Sequence, residues 1–268
     1  MATQLQPQRT DEIDYPTGDG RPMAETDIHR DLMMDLIGTL DHRFADDAQV
    51  YVSGNLLVFY VEGDPRRHIS PDVFVVRGIP KYPRENYLIW REGKAPQVVI
   101  ELTSKSTRNE DERQKFHRYQ DYLKVQEYFM FDPRDEYLDP PFQGYRLHKG
   151  EYEPIEFVDG RLPSEVLGLH LESIDGELRL YDPATQTILP TVRERAESEA
   201  QRADSAERLA SQQAERARQE SERARQESER ARQESERAER ETTARLQAEA
   251  DNARLLQELD ELRRQLGK

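Results

Sequence analysis

The chain has 268 residues, of which 35% are hydrophobic and 35% are charged, and its net charge is −15. It has no cysteine, which excludes a disulfide framework and a thiolate metal site. The polar residues 1–15 do not resemble a secretion signal, and no run of about 18 apolar residues could span a membrane. We therefore expect a cytoplasmic protein without a membrane segment.

The chain divides into two parts of different composition. All aromatic residues precede residue 191, so we predict a folded domain at residues 1–190 and a charged helical tail at residues 191–268. The tail holds 17 Arg and Lys against 19 Asp and Glu, which leaves −13 on the domain. An acidic domain is unfavourable for nonspecific nucleic-acid binding, because such binding depends on positive charge.

The first predicted element is an amphipathic helix that opens at Glu25-Thr26-Asp27. Its apolar residues form one stripe: Ile28, Leu32, Leu36, Ile37 and Leu40. Two short β-type segments follow at residues 49–53 and 56–61. The Gly54-Asn55 pair between these segments predicts a hairpin.

Longer strands and a second helix complete the predicted core. The bounds are 69–76 and 97–103 for two strands, about 109–123 for the helix, and 127–131 for a further strand. Residues 143–182 predict small antiparallel strands, with turns at Lys149-Gly150 and Asp159-Gly160. This order indicates an α/β fold with a mixed sheet flanked by helices.

The tail repeats a seven-residue unit, which is typical of coiled coils. The unit at residues 215–221 recurs at 222–228 and 229–235. Near the end, leucines follow the 4-3-4 spacing of a seam: Leu255, Leu259, Leu262 and Leu266. Extended backward, the seam meets Asn252 and Arg245, and then Ala and Glu residues that bury little. A solvated helical spacer and a helix that self-associates at its leucine-rich end both remain open.

Two predicted strands carry a carboxylate in apolar surroundings. Asp72 follows Pro71, and Glu101 follows the run Val98-Val-Ile100. Burying an unpaired carboxylate is costly, and two carboxylates on neighbouring strands repel unless they share a proton or a divalent cation. Carboxylate oxygens suit Mg²⁺ or Mn²⁺, which can activate a water and stabilise charge on a phosphate. Taken alone, Asp72 could also be a turn or cap residue.

A lysine on the second helix could act with the two carboxylates. Lys115 lies on the same stripe as Tyr119 and Tyr122, a face that packs toward the sheet if the helix is amphipathic. From there Lys115 could position a water and stabilise a phosphate. We expect His29 and His117 to be partly buried packing residues, since no second His or Cys stands at metal-ligand spacing.

These motifs resemble the Uma-two-type family of bacterial endonucleases, within the PD-(D/E)XK, restriction-endonuclease-like superfamily. The resemblance covers about residues 14–180 and rests on these segments: Asp14-Tyr-Pro-Thr17, residues 23–27, His29-Arg30, Ser70-Pro71-Asp72-Val73, residues 101–107, Lys115, Glu127-Tyr128 and Asp132-Pro133. It implies a restriction-endonuclease-like fold and a metal-dependent endonuclease that hydrolyses DNA. Asp72 and Glu101 would be the metal ligands, Lys115 the catalytic lysine, and Glu25 a further acidic ligand.

The chain departs from the superfamily pattern at one position. The pattern has a lysine two residues after the second acid, where this chain has Thr103. In the resembled family the following helix supplies the lysine, which favours Lys115, and Lys105 is a second candidate. The alternative function is a non-catalytic module for assembly or nucleic-acid binding, favoured by Thr103 and by the acidic domain. Superfamily nucleases often act as dimers, so we also expect a homo-oligomer through the C-terminal helix.

Overall fold

The computed structural model describes residues 13–18, 26–103, 114–136 and 138–267 and separates two compact units, residues 1–197 and 198–268. We call the first unit the body. In chain order the elements are α1 Asp27–Arg43, β1 Val50–Ser53, β2 Val58–Phe59, β3 His68–Ile69, β4 Val73–Arg77, β5 Tyr87–Leu88, α2 Ile89–Glu92, β6 Val98–Leu102, a π-helix Arg118–Leu123, β7 Glu127–Phe131, β8 Phe142–His148, β9 Glu151–Pro154, β10 Leu162–Ser164, β11 Leu169–Ile174, β12 Glu177–Asp182, β13 Thr187–Ile188 and α3 Val192–Leu266. Among the described residues, we find no helix with the length and apolar character needed to cross a membrane.

A mixed six-stranded sheet, in the order β1-β4-β6-β7-β8-β9, forms the centre of the body. Within it, β6 and β7 run parallel and the other neighbouring strands run antiparallel. Strands β4, β6 and β7 are rich in branched and aromatic residues and are buried on both faces, as expected for the centre of a covered sheet. The predicted α/β fold with a mixed sheet is confirmed.

Helix α1 covers one face of this sheet, together with the four-stranded sheet β10-β11-β12-β13. The predicted stripe faces inward at Leu32, Leu36 and Leu40, and burying each leucine stabilises the fold by about 1.5–3 kcal/mol. Thr26 caps the helix, because its hydroxyl accepts a hydrogen bond of 3.3 Å from the backbone N–H of His29. This cap fixes the first helical turn, which carries the His29 side chain.

The π-helix packs on the opposite face of the six-stranded sheet. Tyr119 and Leu123 are buried there against β4, β6 and β7. The sequence predicts a helix over residues 109–123, and residues 104–113 lie outside the part of the chain that the structure describes. The described end of this element, from residue 114 onward, is helical.

The predicted stripe along this helix is wrong at Tyr122, whose side chain is 60% exposed. The backbone N–H of Lys124 donates to the carbonyl of Tyr119, five residues earlier. This wider turn places Tyr119 and Tyr122 on different faces, although α-helical spacing would put them on the same one. Tyr122 instead lies beside the ring of Tyr60, with ring centroids 5.7 Å apart.

The predicted hairpin at the Gly54-Asn55 turn does not form. Strand β1 pairs with β4, whereas β2 pairs with β3 and β5 in a separate three-stranded sheet. Asn55 has a left-handed backbone (φ 52°), and its N–H donates to the carbonyl of Pro71 at 2.8 Å. Leu57 and Phe59 are thereby carried into their own cluster with Leu88, away from β1.

A buried ion pair closes the segment 77–94 on itself, and the stacking of Arg84 on Tyr51 joins this segment to β1. The Arg84 guanidinium is 2% exposed and binds both oxygens of Glu92, at 2.9 and 2.8 Å. It lies between the rings of Tyr51 and Tyr82, at 4.1 and 3.7 Å from their centroids. Such a pair is expensive to break, because removal of one partner leaves a buried charge without compensation.

The buried carboxylate of Glu127 joins the two larger sheets, and it also forms an ion pair with Arg146 on the neighbouring strand β8. Glu127 on β7 is 1% exposed, and its Oε1 accepts hydrogen bonds from the Arg146 guanidinium at 3.0 and 3.1 Å. The backbone N–H groups of Glu165 and Val166 donate to the same carboxylate, at 2.8 and 3.3 Å, and so does the Ser164 hydroxyl. Glu127 is therefore a structural acid whose hydrogen bonds hold β10 and the following turn against β7 and β8.

Helix α3 is 75 residues long, and its described side chains from residue 198 onward are exposed. Ion pairs at i, i+4 spacing run along it, including Arg232–Glu236 at 3.1 Å and Arg245–Glu249 at 3.0 Å. Each such pair contributes about 0.3–0.5 kcal/mol. Its first turn is capped within the body, where the Thr191 hydroxyl accepts from the backbone N–H of Glu194.

Candidate metal-binding and catalytic site

The two predicted carboxylates stand on neighbouring strands of the central sheet. Strands β4 and β6 are antiparallel, with Val73 opposite Ile100 and Phe74 opposite Val99. Continuing this register by one residue sets Asp72 opposite Glu101. Directly opposed residues have Cβ atoms about 4.5–5.5 Å apart, so the two carboxylates share one edge of the sheet.

Asp72 is held from two sides at the start of β4. Its Oδ2 accepts a hydrogen bond of 2.7 Å from the backbone N–H of Leu102, and its Oδ1 lies 3.2 Å from Nε2 of His29. Burial favours a higher pKa for Asp72. The contact with His29, the charge of Lys115 and the Leu102 N–H outweigh burial, so the pKa of Asp72 lies below its ordinary value and the carboxylate is ionised at neutral pH.

The backbone of Asp72 is also fixed by a close approach of the chain. A Cβ atom added at Gly54 would lie 2.0 Å from the carbonyl oxygen of Asp72 and 2.6 Å from Cδ1 of Ile37. Only glycine fits there without displacing one of its neighbours. The Gly54-Asn55 pair, which the sequence suggested as a hairpin turn, therefore packs against the backbone that carries Asp72.

Glu101 is 1% exposed and is bound by two side chains from the helix that follows it. Its Oε2 accepts a hydrogen bond of 2.8 Å from Nζ of Lys115, and its Oε1 accepts one of 2.5 Å from the hydroxyl of Tyr119. Burial and the charge of Glu101 raise the pKa of Tyr119 well above its ordinary value, so this phenol remains a donor. The structure thus brings Lys115 together with Glu101.

Thr103 occupies the position where the superfamily pattern has a lysine, and its side chain has a structural role. Its side chain is buried, and its hydroxyl donates to the carbonyl of Phe131 at 3.2 Å. Thr103 therefore helps to pair the ends of β6 and β7 and offers no positive charge. The other predicted contributors, Glu25 and Lys105, lie outside the described residues.

His29 lies at the site, although its sequence context predicted a packing residue. Its side chain is 14% exposed, and it reaches Asp72 from the first turn of α1. The signal available in the sequence was its place in the His29-Arg30 motif, three residues after the Thr26 cap. The same expectation is wrong for His117, which is 67% exposed and lies 3.5 Å from Asp121.

The donor chemistry of this site fits a hard divalent cation. Asp72 and Glu101 offer carboxylate oxygens from adjacent strands, and a carboxylate has about four acceptor positions, so the observed hydrogen bonds are compatible with a metal bond. Over the described ranges, no group of three or more His, Asp and Glu could hold a metal ion. Mg²⁺ typically uses only one or two carboxylates and keeps several waters, which suits a pair of acids.

Comparison with known protein families matches residues 3–180 to Uma2, described as "Putative restriction endonuclease". The chain belongs to the Uma2 family. This confirms the family that the sequence motifs resemble, and it places the protein with nucleases of the restriction-endonuclease type. A search of curated proteins finds no match.

One solved structure similar to this Uma2 member is a putative nuclease belonging to DUF820 from Anabaena variabilis ATCC 29413. The two sequences are 18% identical, and the alignment covers 58% of this chain and 82% of that chain, with a TM-score of 0.43.

Proposed function

We propose that the body is a metal-dependent endonuclease that hydrolyses phosphodiester bonds of DNA. The observation that carries this proposal is the pair of opposed carboxylates, Asp72 and Glu101, with the Lys115 ammonium 2.8 Å from Glu101. Membership in Uma2 supports the nuclease class.

In this proposal Asp72 and Glu101 hold Mg²⁺ or Mn²⁺. Such an ion lowers the pKa of a bound water and stabilises negative charge on the scissile phosphate. The lowered pKa of Asp72 keeps one ligand ionised at neutral pH. His29 orients the Asp72 carboxylate and Tyr119 orients that of Glu101, so the two ligands present fixed oxygens.

Lys115 supplies the positive charge that the position of Thr103 lacks. Its ammonium lies 2.8 Å from Glu101, and its side chain is 14% exposed. From there it can donate a hydrogen bond to a non-bridging phosphate oxygen, whose charge grows in the transition state. The tie to Glu101 holds the ammonium in place before substrate arrives, which reduces the reorganisation that the reaction requires.

The alternative function is a non-catalytic module for assembly or nucleic-acid binding. The net charge of −13 on residues 1–190 and the threonine at position 103 favour it. A metal at the acidic pair would offset part of the local negative charge, which keeps phosphate binding compatible with the first proposal. Cleavage therefore separates the two functions better than binding does.

The test is cleavage of supercoiled plasmid by the full chain in Mg²⁺ or Mn²⁺, with EDTA as the metal-free control. We expect metal-dependent nicking that falls on the order of 100-fold or more in Asp72→Asn, Glu101→Gln and Lys115→Met. Glu62→Gln, at an exposed position, is the matched control and should cleave like the parent. DNA binding without cleavage in the parent would favour the alternative, and cleavage of RNA but not DNA would overturn the assigned substrate.

A further inference from the structure

The last turns of α3 expose a continuous leucine seam. We use this name for the a and d positions of three successive heptads: Ala248, Asn252, Leu255, Leu259, Leu262 and Leu266. The four leucines are between 49% and 82% exposed. Residues spaced four and three apart lie along one face of a helix, so they form a stripe that can pack against another helix.

We propose that a second copy of this chain covers the leucine seam, and that residues 248–266 of the two copies form a parallel, two-stranded coiled coil. The inference rests on the pattern of α3 and is independent of the proposed nuclease function. The heptad repeat itself identifies a helix of the same period as the partner, because knobs-into-holes packing needs a matching 3.5-residue repeat on both sides.

Asn252 selects the orientation of the pair. It stands at an a position between Ala248 and Leu255. In a parallel pair in register, the two Asn252 side chains face each other, and each amide can donate to the other. In an antiparallel pair an a residue faces a d residue, so each amide would be buried against an apolar side chain without a hydrogen-bond partner.

The charges that flank the seam agree with this arrangement. In a parallel coiled coil, a g residue faces the e residue five positions later on the partner helix. Of the two such pairs in residues 248–266, Glu258 and Arg263 have opposite charges, while Asp251 faces Leu256. The outer positions carry no large apolar residue: Ala250, Ala253, Arg254, Gln257, Asp260, Glu261 and Arg264.

The upstream repeats limit the length of the paired segment. There the d positions carry glutamate, and the four residues are Glu220, Glu227, Glu234 and Glu241. Extending the pair through them would bring like charges face to face at every d layer. The intrahelical ion pairs of this stretch instead stabilise a single solvated helix. Pairing is thus confined to residues 248–266.

The first arm of the test measures the mass of the full chain by analytical ultracentrifugation, from about 1 to 200 μM. The informative variant is Leu259→Lys in the seam. Leu246→Lys is the matched control, because Leu246 is equally apolar and 62% exposed but lies at a b position. We expect a dimer whose dissociation constant rises on the order of 100-fold or more in Leu259→Lys and is unchanged in the control.

Trp90 fluorescence checks that the body stays folded in each variant, because the tail has no aromatic residue. A parent chain that stays monomeric over this range overturns the proposal. So does a dimer that survives Leu259→Lys, since another surface would then hold it. A trimer or tetramer overturns the two-stranded assignment.

The second arm tests orientation and uses the absence of native cysteine. Ala248→Cys and Leu262→Cys are made separately, both at d positions. In a parallel pair each cysteine faces its own copy, within the Cα separation of about 4.4–6.8 Å that a disulfide requires, so both variants should cross-link on oxidation. In an antiparallel pair at most one residue can face its own copy. Cross-linking of only one variant would therefore overturn the parallel arrangement.

Discussion

Substituting glutamine for the two buried glutamates of the central sheet should have different effects on stability. We expect Glu127→Gln to destabilise the body by about 3–5 kcal/mol, and Glu101→Gln to change its stability by less than about 1.5 kcal/mol. Both residues are 1% exposed and lie on adjacent strands, so burial alone does not distinguish them. The hydrogen-bond partners of the two carboxylates do distinguish them.

The cost at Glu127 follows from its donors. Three N–H groups converge on Oε1, from Arg146 and Glu165, while the Ser164 hydroxyl and the Val166 N–H converge on Oε2. In glutamine one oxygen becomes an NH₂ group, which cannot accept. In either orientation of the amide, its NH₂ group therefore faces N–H or O–H donors of the protein. In addition, Arg146 loses its buried counter-charge.

At Glu101 two effects oppose each other. The substitution loses one charge-assisted hydrogen bond to Lys115, of about 1.5–3 kcal/mol, but the Lys115 side chain can turn to solvent. It also removes a negative charge from the strand next to Asp72, and with it the repulsion between two like charges. The hydrogen bond from Tyr119 can be kept by the amide oxygen.

Thermal unfolding followed by Trp90 fluorescence measures this contrast, because the signal comes from the body alone. A loss of 3–5 kcal/mol lowers the Tm by roughly 6–20 °C for a unit of this size, whereas Glu101→Gln should move it by only a few degrees. If Glu101→Gln were as damaging as Glu127→Gln, Glu101 would be a structural acid. The reasoning that assigns it to a functional site would then fail.

Two further predictions concern residues that hold the site and its surroundings. The hydrogen bond from Arg84 lowers the pKa of Glu92 from its ordinary 4.5, so the stability that this pair adds is present above that pH and is lost as the pH falls through the lowered pKa. In urea titrations, Glu92→Gln should therefore be less stable than the parent at neutral pH, with the difference shrinking in acid; a difference that is constant with pH would contradict this. Gly54→Ala should displace Asp72 and weaken Mn²⁺ binding by roughly tenfold or more, while Gly18→Ala, where an added Cβ meets no atom within 4 Å, should bind like the parent. Unchanged Mn²⁺ affinity in Gly54→Ala would show that the contact does not position Asp72.

The strands that carry the site were predictable because their chemistry is local. Branched and aromatic runs indicate β4, β6 and β7, and an acid within such a run stands out against the cost of burial. That is why Asp72 and Glu101 could be proposed from the sequence. Lys115 was proposed from its place on a helical stripe, and the family resemblance favoured it over Lys105, because spacing alone does not distinguish it from a solvated lysine.

Other features depend on contacts between distant parts of the chain. The Gly54-Asn55 pair is a standard hairpin signal, but the pairing of β1 with β4 and the bond from Asn55 to Pro71 decide the path of the chain. The π-helix turns Tyr122 toward solvent. The sequence does not predict this, because a π-helix and an α-helix can have the same composition. The contact of His29 with Asp72 joins residues 43 positions apart, and no spacing rule predicts it.

The most direct test of the central claim is calorimetric titration of Mn²⁺ into the full chain and into Glu101→Gln, with Glu62→Gln as the control. We predict a binding site at the acidic pair in the parent and the control, with affinity reduced at least about tenfold in Glu101→Gln. Binding of equal strength in all three proteins would place the metal elsewhere. No binding in the parent would leave Asp72 and Glu101 without the cation on which the proposed chemistry depends, and would contradict the account.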